Sequence, residues 1–168
     1  MPFKRYEIGR VYRDGPIKLG RYREFWQCDI DIIGTASMLA DAEIITMVQA
    51  AFERLDLDVV IKVNNRKLLN GILEQVGIKD KEEAIISIDK LDKIGREGVA
   101  LELKGRGYNS TQIEKLFTFI KEGITLVELK KKITAEEGKQ GLIELEELFS
   151  YLQMQNITAA VFDVSLAR

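Results

Sequence analysis

The chain of 168 residues is 46% hydrophobic and 31% charged, long enough to bury a core as one domain or two small ones. Its single cysteine, Cys28, excludes an internal disulfide and suits a reducing cytosol, and the lack of histidine excludes the usual zinc sites and the Ser-His and Cys-His nucleophilic pairs. A net charge of −2 hides an asymmetry: residues 1–27 carry seven Lys or Arg against three acids, a basic end on an acidic body, which points to an anionic ligand held locally.

Met1-Pro2-Phe3 runs almost directly into RYEIGRVYRD (5–14), which alternates weakly as a strand until Gly15-Pro16 breaks it. After IKLG a second strand begins near Arg21, giving a β-hairpin whose loop, at about residues 15–20, exceeds a tight two-residue turn and is suited to carry binding groups. In GRYREFWQCDIDIIG (20–34) the odd positions hold Arg21, Arg23, Phe25, Gln27, Asp29 and Asp31. The even positions hold Tyr22, Trp26, Cys28, Ile30 and Ile32, with Glu24 the polar exception, and read as the core face.

The segment 36–55 has helical spacing through Met38, Ala42, Ile45 and Val48. DVVIKVNN (58–65) reads as a buried strand, and Asn65 is placed to cap a helix over 66–77 that stops at Gly77. Residues 79–156 then show only helical periodicity, with Gly95, Gly107, Gly123 and Gly138 as punctuation and Ser110 as a possible helix start. ITAAVFDVSL (157–166) reads as a returning strand, expected beside the hairpin. The expected class is α+β: a largely antiparallel sheet with flanking helices over 1–78, an all-helical insertion over 79–156 and a core strand over 157–168. Both ends read as cut from something longer, no run is long and apolar enough to span a membrane, and there is no signal-peptide pattern.

Arg13 closes the first strand while Arg21 and Arg23 open the second, so three guanidiniums can converge on one loop, suited to phosphate or carboxylate. Phe25 follows on the same face as a stacking plane, and Gln27 and Asp31 further along could hold an ammonium or a heterocyclic N–H. A solvated sheet edge with incidental ion pairs explains the same alternation equally well. Lys130-Lys131-Lys132 is more simply a solvated helix end than a nucleic-acid contact, Gly105-Arg106-Gly107 reads as a helix terminator, and Phe117, Phe119, Phe149 and Tyr151 read as packing residues.

YRDGPIKLGRYREFWQCDIDIIG (12–34) resembles motif 2 of histidyl-tRNA synthetases, near the archaeal and eukaryotic branch. NNRKLLNGIL (64–73) resembles the junction before that family's inserted helical domain, and VFDVSLAR (161–168) is similar to the start of its second histidine-specific motif. The resemblance implies a class II aminoacyl-tRNA synthetase: a homodimeric, cytoplasmic ligase using histidine, ATP with its Mg2+, and tRNA(His). It assigns Arg13 to the ATP α-phosphate and the histidine carboxylate, Phe25 to the adenine, Arg21 and Arg23 to the triphosphate or tRNA end, Gln27 to the substrate amine and Asp31 to the imidazole. Arg168 would face the α-phosphate opposite Arg13, and the Lys130–Lys132 run would lie in the tRNA-facing block. Motif 1, motif 3 and the anticodon-binding domain fall outside these residues, so the piece alone is expected to be inactive. The usual motif 2 has an acid two residues after its first Arg, whereas here Asp14 follows Arg13 directly. Two alternatives are the histidine-sensing regulatory subunit of ATP phosphoribosyltransferase, a relative that lacks the insertion, and a plain interaction module.

Overall fold

The computed structural model describes residues 1–167; Arg168 lies outside the described residues. A long hairpin opens the chain, β1 (Phe3–Tyr12) and β2 (Glu24–Ile33), antiparallel with Phe3 opposite Ile33 and Tyr12 opposite Glu24. The loop between them folds back through paired backbone bonds between Lys18 and Arg21, and Gly20 supplies the positive φ of +73° that this reversal needs.

Helix α1 (Met38–Arg54) starts where the Ser37 side chain accepts from the Leu39 amide. It is followed by β3 (Ile61–Val63) and α2 (Arg66–Val76), which Asn65 caps through the Lys67 and Leu68 amides and Gly77 ends in the left-handed conformation. The helical run comprises α3 (Lys81–Ile88), α4 (Leu91–Gly105, broken at Gly95), α5 (Ser110–Phe119), α6 (Leu126–Lys132) and α7 (Glu136–Met154). The α5 cap is Asn109, not Ser110: Asn109 and Gln112 bond each other's backbone amides reciprocally, which restores the capping-box spacing.

Gly138, expected to punctuate two helices, lies inside α7 at its crossing with α2. A Cβ on Gly71 would sit 2.4 Å from the Cα of Gly138, and one on Gly141 would sit 2.4 Å from the backbone nitrogen of Leu68. Glycine lets the two backbones touch there. Around this crossing Leu68, Leu69, Ile72 and Leu73 of α2 join Leu142 and Leu145 of α7, Leu116 of α5 and Leu129 of α6 in one buried cluster.

The last strand is shorter than expected and has a different neighbour. β4 (Ala160–Phe162) runs parallel to β3, with Ile61 opposite Ala160, instead of lying beside the hairpin. A parallel pair needs a long crossover, here everything from α2 to α7. The strand stops because Asp163 and Ser165 satisfy each other: the Ser165 amide (2.9 Å) and hydroxyl (2.6 Å) donate to the Asp163 carboxylate, and the Leu166 amide donates to the Asp163 carbonyl (3.1 Å). Local bonds of that kind compete with a strand ladder. The described residues thus combine helices with two separate two-stranded sheets, one antiparallel and one parallel, where a single largely antiparallel sheet was expected.

Candidate functional site on the hairpin

The register of the hairpin decides what the alternation left open. Partners sum to one register, so the odd face pairs Val11 with Phe25, Gly9 with Gln27, Glu7 with Asp29 and Arg5 with Asp31. One step beyond the ladder the Arg13 amide donates to the Arg23 carbonyl (2.8 Å), which sets these two cations across from each other. Like charges at opposed positions repel, and a bound anion between them would remove that cost.

Each of the two spends only part of its guanidinium on the protein. Arg13 Nε donates to the Tyr22 carbonyl (3.2 Å) and Arg23 Nε to the Gly15 carbonyl (3.3 Å). The Arg13 guanidinium also stacks 4.3 Å from the centroid of the Phe25 ring. Arg21 contributes its backbone to the loop bridge with Lys18, and its side chain has no polar partner among the described residues. Asp14 accepts from the Gly15 amide (2.8 Å).

Further down, Gln27 Nε2 donates to both carboxylate oxygens of Asp29 (2.7 Å each), which leaves its Oε1 as an acceptor. Opposite stands Gly9, where a Cβ would meet nothing within 4 Å, so Gln27 borders open space. Asp31 is engaged by Arg5, whose Nε lies 2.6 Å from a carboxylate oxygen. The Asp31 hydrogen bond, and then its charge, hold the Arg5 guanidinium above its ordinary pKa. Arg5 and Gly9 were not among the sequence candidates. The signal for both was the hairpin register, which pairs Arg5 with Asp31 and Gly9 with Gln27 once any one pair is known.

The even face corrects an expectation. Trp26, read as core, is 65% exposed, and Cys28 is exposed as well. The hairpin meets α1 through the Lys4–Glu43 ion pair and a groove of about 330 Å³ lined by Ile8, Cys28, Ile32 and Met47. Arg10 leans on Trp26 at 5.9 Å. Lys130–Lys132 belong to α6, a different element: Lys130 pairs with Glu146 (2.8 Å), Lys132 donates to the Thr118 carbonyl (3.3 Å), and Lys131 has no polar partner among the described residues. The predicted site residue Arg168 lies outside the described residues.

A family model described as histidyl-tRNA synthetase matches residues 2–168. The chain belongs to the histidyl-tRNA synthetase family. It is 42% identical over 173 residues to histidine–tRNA ligase 1 of Bacillus cereus, covering all of this chain and 40% of that protein. Histidine–tRNA ligase 2 of Shouchella clausii is 45% identical over 175 residues, with 99% of this chain and 41% of that protein covered. The crystal structure of histidyl-tRNA synthetase from Nostoc superposes with a TM-score of 0.87 at 31% identity, over 99% of this chain and 41% of that one. A Bacillus halodurans structure titled as an ATP phosphoribosyltransferase regulatory subunit/histidyl-tRNA synthetase shares the fold, with a TM-score of 0.79 at 22% identity. This member of the histidyl-tRNA synthetase family spans about two fifths of the length of the relatives it matches.

Proposed function

We propose that these residues are part of a histidine–tRNA ligase, which joins histidine to ATP as an adenylate and then transfers it to tRNA(His). The observation that carries this reading is the stack of Arg13 on Phe25 beside Arg23, within a segment of a chain that belongs to the family. Arg13 and Arg168 would bracket the α-phosphate, so that two cations offset the charge developing as the histidine carboxylate attacks phosphorus and pyrophosphate leaves. Both reacting groups are already anionic, so no side-chain base is required. Phe25 would stack on adenine, and Arg21 and Arg23 would hold the triphosphate or the tRNA end.

Gln27 would accept from the substrate ammonium through the free Oε1, and Asp31 would meet the imidazole once its bond to Arg5 is shared. Mg2+ would arrive on the ATP phosphates; among the described residues no group of three or more His, Cys, Asp or Glu is placed to hold a metal. Residues 79–156 would correspond to the inserted helical domain that faces tRNA, with Lys131 the freest of the three lysines, and 1–78 with 157–168 to part of the class II catalytic core. The working ligase would be a cytoplasmic homodimer. Among the described residues no helix is long and apolar enough to cross a membrane. The regulatory-subunit reading has less support, because its relative matches at 22% identity and shows the fold alone.

Histidine-dependent ATP–pyrophosphate exchange tests the reading. The full-length ligase should catalyse it, and Arg13→Ala should slow adenylation by roughly a hundred to a thousand-fold with little change in the histidine requirement. The 168 residues alone should give no exchange above background. A normal rate for Arg13→Ala would sink the assignment of this face.

A further inference from the structure

The chain makes a hook after β4, and a short stretch after β3 holds it. Asn64 donates through Nδ2 to the Val164 carbonyl (3.0 Å) and the Leu166 carbonyl (2.8 Å), and Arg66 donates to the Ala167 carbonyl (3.2 Å). Lys62 adds an ion pair to Asp163 (2.8 Å) at the start of the hook. Val164 and Ala167 are buried, so the hook is fixed on its apolar side too. The Ala167 carbonyl belongs to the peptide unit that joins Ala167 to Arg168.

Asn64 is an expensive residue for mere filling. Its Oδ1 is buried with no hydrogen-bond partner among the described residues. Rotating the amide would not help, because both groups facing Nδ2 are carbonyl oxygens. An apolar side chain would leave no such orphan. What asparagine adds is a pair of donors aimed at two carbonyls about a hundred residues further along, beside a cavity of about 370 Å³ lined by Asn65, Arg66, Leu69 and Leu166.

We infer that Asn64 and Arg66 are positioning residues for the adenylation step: by holding the carbonyls of Val164, Leu166 and Ala167 they fix the backbone from which Arg168 departs. This rests on the reading of Arg168 as an arginine that serves the α-phosphate.

The test is single-turnover adenylation by the full-length ligase, with Arg168→Ala as the reference. Asn64→Ala and Arg66→Ala should slow the step by about tenfold to a hundredfold, the scale of a slight misplacement of a reacting group. Their KM values for histidine and ATP should stay within about threefold, and Arg66→Lys, which keeps a donor, should recover most of the rate. In the Arg168→Ala background neither substitution should add a further loss, since the group they position is gone. Full additivity in that background would mark a general structural role and overturn the inference. Normal rates for Asn64→Ala and Arg66→Ala beside a slow Arg168→Ala would also overturn it while sparing the reading of Arg168. A normal rate for Arg168→Ala would overturn both. If Asn64→Ala does not fold, Arg66→Ala carries the same comparison, because Arg66 is exposed.

Discussion

The guanidinium of Arg13 lies 4.3 Å from the centroid of the Phe25 ring, and its backbone amide donates to Arg23. A flat cation on a flat ring beside a second cation is the arrangement that the proposed ATP site would use for a phosphate with a base next to it. Phe25→Leu keeps an apolar side chain but removes the π face, so in the full-length ligase it should raise the ATP requirement by about tenfold, the worth of about 1–1.5 kcal/mol of stacking. Phe25→Tyr should stay near normal. Steady-state exchange kinetics at varied ATP check this, and an unchanged KM for Phe25→Leu would count against the adenine assignment.

Asp31 has two possible employers. Its ion pair with Arg5 is largely exposed, and pairs of that kind contribute about 0–1 kcal/mol. Asp31→Ala should therefore leave the denaturation midpoint of the 168-residue chain almost unmoved. In the full-length ligase the same change should raise the histidine requirement at least tenfold, because a buried N–H of the substrate would lose its acceptor. A histidine requirement as flat as the stability would mean that Asp31 serves only Arg5.

The α2–α7 crossing makes a prediction about folding. Gly71→Ala places a Cβ 2.4 Å from the backbone of Gly138, where no flexible side chain can give way, and should cost about 1–3 kcal/mol or more. Gly138→Ala meets the Ile133 side chain at 2.8 Å and the Gly71 Cα at 3.3 Å, and should cost less. At Gly105, the last residue of α4, nothing lies within 4 Å, so Gly105→Ala should stabilise by about 0.5–1 kcal/mol. Urea denaturation of the three variants orders them.

Acid should loosen the same crossing. Glu137 accepts from Asn70 (2.8 Å) and Lys81 (3.1 Å), and the Asn70 bond is the main reason its carboxyl sits below the ordinary glutamate value of 4.5. Burial alone would raise Glu144, but bonds from Lys67, Asn65 and Gln140 outweigh it and hold that carboxyl low as well. The unfolded chain then takes up these protons at higher pH than the folded one. Their stabilisation is fully present above 4.5 and is lost as pH falls through the folded values. Denaturation midpoints should drop between pH 6 and pH 3, and Glu137→Gln with Glu144→Gln should flatten that drop.

Trp26 offers a simple optical check. As the sole tryptophan and 65% exposed, it should emit like a solvated indole in the native 168-residue chain and be quenched readily by acrylamide. A blue-shifted, protected emission would show that the even face is covered, for example by association of two hairpins.

Local features of the sequence determined a good deal: the hairpin, the amphipathic helices, the Asn65 cap and the Gly77 stop. They also put Arg13, Arg23, Phe25, Gln27 and Asp31 on one face, because a strand has a strict period of two whatever lies across from it. Period alone says nothing about what faces what. Only the hairpin register brought Arg5 to Asp31 and Gly9 to Gln27, and only the folded chain shows Trp26 and Cys28 exposed where their alternation had read as core. Gly138 could not be told from a helix terminator, since a glycine that ends a helix and one that admits a neighbouring backbone look alike until that neighbour is placed. β4 likewise had a strand-like sequence over 157–166, yet its partner β3 is about a hundred residues away, and Asp163 with Ser165 closes the strand after three residues. Propensity and periodicity are properties of neighbours in the chain; pairing, crossing and exposure are properties of neighbours in space, and those only the folded structure decides.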